Sequence, residues 1–170
     1  MKVFYWAPWI GKIGTIKAVL NSAHILDHYS KNKIETKIIN SVGEWDNLSG
    51  SERFLNLSKF KIYKFLPQGG FIKSRITYII IFLFSFLPLK RLLKKERPDY
   101  LVVQLITSLP LFLKLLFNLE NKFILRISGY PKMNFFRKFL WKMTLKKTYL
   151  ITCPTENTLK YIKSLNLVDS

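Results

Sequence analysis

Met1–Ile16 reads MKVFYWAPWIGKIGTI, an apolar strand that runs into a glycine-bearing turn and a helix start. Val3, Tyr5 and the aromatics beside them favour an extended chain. Pro8, Gly11 and Gly14 interrupt it, and Thr15 is placed to cap a helix through Ile16–Tyr29. A parallel α/β domain sets a binding loop at this position, outside the carboxyl end of its first strand. The reading decides the fold only if the alternation recurs.

It recurs along the whole chain. Thr36–Asn40 (TKIIN) is a short strand, followed by a polar stretch, Ser41–Ser58, with Gly43, Asn47 and Gly50 as turn formers. Phe60–Leu66 alternates as a third strand does, and Pro67, Gly69 and Gly70 close it. Asp99–Leu105 (DYLVVQL) is nearly continuous apolar sequence after Pro98, the pattern of a strand covered on both faces. Thr107 or Ser108 starts a helix through Asn118, with Pro110 tolerated in its first turn. Lys122–Ser128 is the fifth strand, Asn134 caps a helix over Phe135–Lys147, Tyr149–Cys153 is the sixth strand, and Pro154–Leu165 the last helix. The expected fold class is α/β: a Rossmann-like open parallel sheet with helices on both faces, in one domain over residues 1–170.

Composition narrows the class of protein. With 49% hydrophobic and 15% aromatic residues, the chain has ample material for a core and is not disordered. A lone cysteine, Cys153, excludes an internal disulfide and fits a reducing compartment. The amino terminus has no secretory pattern, because Pro8 and Gly11 interrupt its apolar stretch.

Charge is distributed unevenly. The net charge is +18, but residues 1–52 hold six bases against five acids, so the remainder carries +17. Ten bases and no acid occur from Arg53 to Lys95, and eight bases and no acid between Asn121 and Thr155. Such blocks point to a polyanionic partner: an anionic bilayer, a nucleic acid or a phosphorylated substrate. No DNA- or RNA-binding motif accompanies them, so no nucleic acid is expected as partner.

Between Arg75 and Lys90 lie 14 apolar residues, Ile76–Leu89 (ITYIIIFLFSFLPL). As a helix they would reach roughly 21 Å, short of the roughly 30 Å core of a bilayer, and Pro88 weakens their end. Two readings stand: a buried or half-buried helix of the domain, or an anchor lying in the membrane surface with cations on lipid phosphates. The membrane-surface set is Arg75, Lys90, Arg91, Lys94 and Lys95, with Lys138 and Lys142 from Asn134–Lys147. In that second helix Phe136, Phe139, Leu140 and Met143 share one face, and Trp141 among lysines suits an interface.

Catalytic signatures are sparse. His24 and His28 lie one helical turn apart, but no further ligand cluster supports a metal site, and none is expected. No serine sits in a nucleophile-elbow sequence, and no catalytic residue can be named. Gly11-Lys12-Ile13-Gly14-Thr15 is neither a Walker motif nor a full dinucleotide fingerprint. It still offers backbone N–H groups and a helix amino end to an anion, or serves as a simple tight turn.

The opening strand, glycine loop and helix, followed by RPDYLVVQL (97–105), FILRISGYPK (123–132) and YLITCPTENTLKYI (149–162), resemble the amino-terminal domain of glycosyltransferase family 4. The resemblance spans essentially the whole chain and is nearest to enzymes that build O-antigen or capsular polysaccharide. It implies half of a GT-B enzyme that transfers a sugar, with retention and without a metal or other cofactor, from a nucleotide-sugar to a lipid-linked or polysaccharide acceptor. The setting it implies is the cytoplasmic face of the cell membrane. Gly11, Lys12, Gly14 and Thr15 would face the donor diphosphate; Gln104, Thr107, Ser128, Gly129 and Tyr130 are the acceptor-pocket candidates. Many members carry a histidine after the fourth strand, where this chain has Gln104, Ile106 and Thr107. The donor-binding domain is expected on a continuation or a partner chain, and residues 1–170 alone are expected to be inactive. The alternative is a non-catalytic basic module that binds a membrane surface or a polyanion.

Overall fold

The computed structural model describes residues 1–10, 14–31, 33–67 and 69–167, the side chains of Ser51 and Phe71 excepted. Among them are six strands and five α-helices: β1 (Lys2–Trp6), α1 (Thr15–Tyr29), β2 (Glu35–Asn40), β3 (Phe54–Asn56), α2 (Phe71–Glu96), β4 (Tyr100–Val103), α3 (Ser108–Phe117), β5 (Lys122–Arg126), α4 (Phe135–Thr144), β6 (Leu150–Thr152) and α5 (Glu156–Ser164). All strands are parallel in one sheet ordered β3-β2-β1-β4-β5-β6. The expected Rossmann-like sheet is therefore present, with its strand order reversing between β1 and β4.

The period-2 alternation of the strands splits the core into two layers. Phe4 and Trp6 of β1, Leu101 and Val103 of β4, and Phe123 and Leu125 of β5 pack with residues of α2, α3, α4 and α5. Val3, Tyr5 and Val102 turn the other way, onto Val19 and Ala23 of α1. Trp6 also donates its indole N–H to the Ile106 carbonyl (2.8 Å), and Gln104 N–H reaches Trp6 O (2.8 Å). These two bonds fix the chain leaving β4 against the end of β1.

Helix α2 is longer than its apolar centre implies. It runs 26 residues, about 39 Å, through Pro88 to Glu96, and ends at Arg97 in the left-handed region (φ 44°) before Pro98. Gly69 and Gly70 start it at φ 81° and 74°, where a side chain would be strained. Residues Ile72–Glu96 are long and apolar enough to cross a membrane by length and composition alone. The helix is thus not limited to the 14 apolar residues between Arg75 and Lys90, because the basic flanks continue it. Thr77, Ile81, Ser85, Leu89 and Leu93 recur every four residues as a buried stripe that seats α2 on the domain. Ile72, Ile76, Ile79, Leu83, Phe84 and Leu87 form an exposed apolar stripe on the outside.

Four further expectations need correction. The third strand is Phe54–Asn56, not Phe60–Leu66; the latter holds a 3₁₀ turn at Tyr63–Phe65, with Phe60 and Phe65 in solvent. What selects Phe54–Asn56 is its register with Ile38–Asn40, reinforced by an Asn40–Asn56 side-chain bond of 2.7 Å. Thr15 does not cap α1: Gly14 holds the cap position with no side-chain bond. Asn134 does cap α4, accepting from Arg137 N–H at 2.8 Å. The buried face of α4, however, is Leu140, Trp141 and Thr144, while Phe136, Phe139 and Met143 face solvent. Trp141 is thus a core residue rather than one at an interface, because α4 packs against α3 and turns this indole into the core cluster.

Candidate functional site

Ligands of open α/β sheets bind outside the carboxyl ends of the strands, near the point where strand order reverses. Two concavities lie there, and Arg126, Ile127 and Ser128 line both. The first is a furrow of about 600 Å³ between α1 and the β4–β6 side of the sheet, lined by Tyr5, Gly14, Thr15, Gln104 and Cys153 among others. The Tyr5 hydroxyl and Ser22 Oγ are hydrogen-bonded at 3.1 Å across it, tying strand to helix. Burial pushes the Tyr5 pKa up, against the opposing pull of the Ser22 bond and the Arg126 charge. Burial likewise raises the Cys153 pKa, which disfavours its thiolate.

The second is a groove of about 820 Å³ between α2 and α4, above the start of α3. Tyr78, Ile79, Phe82 and Leu83 of α2 form one wall; Phe136, Arg137, Leu140 and Trp141 of α4 form the other. The Tyr78 hydroxyl is hydrogen-bonded to Ser108 Oγ and anchors the α2 wall to α3. Arg75, Arg126, Lys132 and Arg137 give the groove a cationic lining. Arg137 is held in place by donating from Nη1 to the Lys132 carbonyl at 3.0 Å.

The loop between β4 and α3 separates the two concavities and is unusual in two ways. Leu105 has φ 55°, a left-handed conformation that costs a side-chain-bearing residue about 1–2 kcal/mol. Gln104 and Thr107 are buried (2% and 7% exposed), yet Gln104 Oε1 and Thr107 Oγ1 have no hydrogen-bond partner among the described residues. Trp141 Nε1, in the wall of the groove, is also unpartnered. All three atoms are enclosed, with almost no surface of their own open to either concavity.

The sequence-predicted residues divide between these places. Gly14, Thr15, Gln104 and Ser128 line the furrow; Thr107, Ser128, Gly129 and Tyr130 line the groove. Gly11 and Lys12 lie outside the described residues. The seven cations do not form one cluster. Arg75 is at the carboxyl rim of the sheet, while Lys90, Arg91, Lys94 and Lys95 lie at the other end of α2, and Lys138 and Lys142 are exposed on α4. Lys90 Nζ sits 3.6 Å from the Phe117 ring centroid, and Lys95 pairs with Glu96 at 3.9 Å. Lys94 lines a third cavity of about 600 Å³ with Arg97, Asp99 and Glu120, at the amino ends of the strands and away from the reversal point.

Arg126, Arg137 and Trp141 belong to the candidate site but were not among its predicted residues. Arg126 ends β5 on the α1 side of the sheet, a position that the alternation Ile124–Arg126 encodes; Arg137 and Trp141 needed the packing of α4 to be placed. His24 and His28 are exposed with rings stacked 6.1 Å apart, and among the described residues no group of three potential ligands could hold a metal ion. No protein-family model matches this sequence, and no curated protein matches it.

Proposed function

We propose that this chain is the acceptor-side domain of a glycosyltransferase working at a membrane surface, transferring sugar from a nucleotide-sugar to a lipid-linked acceptor. The observation that carries the reading is the pair of concavities meeting at Arg126–Ser128 on the carboxyl rim of a Rossmann-like sheet. Two substrates must meet in such a reaction, and this rim offers two differently lined sites side by side. The furrow joins the amino end of α1 to Arg126, a combination suited to donor phosphate. The groove is apolar with a cationic lining and opens beside the exposed stripe of α2.

No general base is assigned, and the rest of the donor grip is placed on a second domain. The chain contributes positioning and charge: it would orient the acceptor and stabilise the leaving diphosphate as negative charge develops there. In the source cell, deleting this chain should abolish transfer of radiolabelled sugar from its nucleotide into membrane lipid, and restoring it should return the label. Unchanged labelling overturns the reading.

One set of observations favours a purely membrane-binding module: exposed Ile79, Leu83 and Leu87, with cations at both ends of α2. On that reading the chain sediments with anionic vesicles, and sugar labelling is indifferent to its loss.

A further inference from the structure

The two faces of the sheet are covered unequally. Helices α2, α3, α4 and α5 all pack on the face of Trp6, Leu101 and Phe123, and Ile151 of β6 turns to that side too. The opposite face has no α-helix but α1 among the described residues, and α1 sits with Val3, Tyr5 and Ile38 of β1 and β2. On that side β5 presents Lys122, Ile124 and Arg126, and register sets Leu150 beside Ile124 and Thr152 beside Arg126. Leu150 is 48% exposed, and Ile124 is half-buried at the margin of the α1 cluster. A parallel sheet is ordinarily buried on both faces, because both carry apolar side chains. The furrow beside α1 begins where that cover stops.

Shape and charge restrict what covers β5 and β6. Their uncovered run is roughly 13 Å long at about 3.3 Å per residue, a bed for one helix about 10 Å wide. Tyr149 is 58% exposed and packs on Tyr100 at 5.6 Å between ring centroids, which extends the apolar patch toward the amino end. Lys122 Nζ lies over both rings, at 5.5 and 5.1 Å. No carboxylate occurs in β4, β5 or β6, and neither Lys122 nor Arg126 has an ion pair among the described residues. A second copy would bring the wrong charge, since its exposed apolar stripes lie on α2 and α4, helices rich in Lys and Arg. A bilayer on the outer stripe of α2 meets the other side of the sheet.

We infer that this face docks an amphipathic helix of a partner protein, its apolar stripe on Ile124, Leu150 and Tyr149 and an Asp or Glu carboxylate on Lys122. Helices commonly bind this way, with apolar anchors at i, i+3, i+4 and i+7. Arg126 and Thr152 stay at the mouth of the furrow, and the docked helix forms its wall opposite α1. The contact needs no sugar, nucleotide or lipid, so it is independent of the transfer reading.

The test is photo-crosslinking in the source cell, with Leu150→p-benzoylphenylalanine and Tyr149→p-benzoylphenylalanine as separate variants of the chain. Leu87→p-benzoylphenylalanine, on the outer stripe of α2, is the control. Irradiation should join the first two, and not the control, to one protein. Mass spectrometry should place the link in a segment with apolar residues at i, i+3, i+4 and i+7 bordered by Asp or Glu. Adding Lys122→Glu, at an exposed position, should lower the yield about tenfold or more, and Lys122→Arg should retain it, with circular dichroism and melting as in the parent. The inference is overturned by no protein adduct from either position, or by adducts with lipid or with a second copy. A link mapped to a segment without that pattern overturns it too, as does an unchanged yield in the folded Lys122→Glu protein.

Discussion

Asn40 Nδ2 donates to Asn56 Oδ1 at 2.7 Å, joining the carboxyl ends of β2 and β3 side by side. The same amide donates to Asp46 Oδ1 (2.7 Å), and its oxygen accepts from the N–H groups of Gly43 and Trp45 at 3.1 and 3.3 Å. One buried side chain thus closes the loop after β2 and fixes a three-residue edge strand. Asn40→Leu should cost about 2–4 kcal/mol, because it removes four hydrogen bonds at once and leaves the buried Trp45 N–H without this acceptor. Urea unfolding followed by circular dichroism measures it; a loss below about 0.5 kcal/mol would show that the hub is dispensable.

Glu44 lies in that same loop, buried, with its carboxylate accepting from Ser41 and Val42 N–H at 3.0 and 2.8 Å. Burial raises its pKa, outweighing the hydrogen bonds that pull it down. The folded state therefore holds this proton more tightly than the unfolded state does. Its contribution to stability is full below the unfolded carboxyl pKa and is lost as pH rises through the raised folded value. Melting temperature should fall over that interval in the parent, and Glu44→Gln should remove this part of the pH dependence. Parallel pH profiles of the two proteins would refute the assignment.

Lys114 is buried and donates to the carbonyls of Leu119 and Asn121, the latter at 3.0 Å, across the turn that leads into β5. Lys114→Met keeps most of the stem but leaves both carbonyls without this donor. The expected cost is about 1–3 kcal/mol, read as a lower urea midpoint with an unchanged slope.

The outer stripe of α2 predicts a membrane response. Phe84→Glu and Leu87→Glu, at exposed positions, should lower co-sedimentation with anionic vesicles by about tenfold or more, since each replaces an inserted apolar group with a charge. Raising salt should weaken binding of the parent as well, because lipid–cation attraction is screened. Salt-insensitive binding unaffected by both substitutions would exclude α2 as the contact.

Arg126 lines both the furrow and the groove. Arg126→Gln should reduce sugar transfer in restored cells by about tenfold or more, with Arg126→Lys recovering part of it. Full transfer by Arg126→Gln would remove this side chain from the site.

The strands β1, β2, β4, β5 and β6 and the five helices were legible as local patterns, since period-2 apolar runs and Gly, Pro and Asn breakers act within a few residues of themselves. Asn134 shows this well: its capping bond reaches only to Arg137. The third strand was not legible. Phe60–Leu66 alternates more clearly than Phe54–Asn56, but only the latter meets β2 in register, and register depends on a partner that is distant in the chain. Among the residues lining the furrow and the groove, Gln104, Thr107 and Ser128–Tyr130 were readable as loop positions that follow strand ends. Arg137 and Trp141 were not, because their place depends on how α4 packs against α3.

The order of apolar and breaking residues alone determined that this chain alternates strands with helices and therefore stacks into a parallel sheet, for backbone preference and periodicity are local. Only the tertiary structure decided which apolar side chains are buried. Trp141 is inside and Phe136 outside on the same helix, and Leu89 is inside while Leu87 is outside on α2. Burial is set by the neighbour a side chain meets, and that neighbour is supplied by the packing of the whole domain.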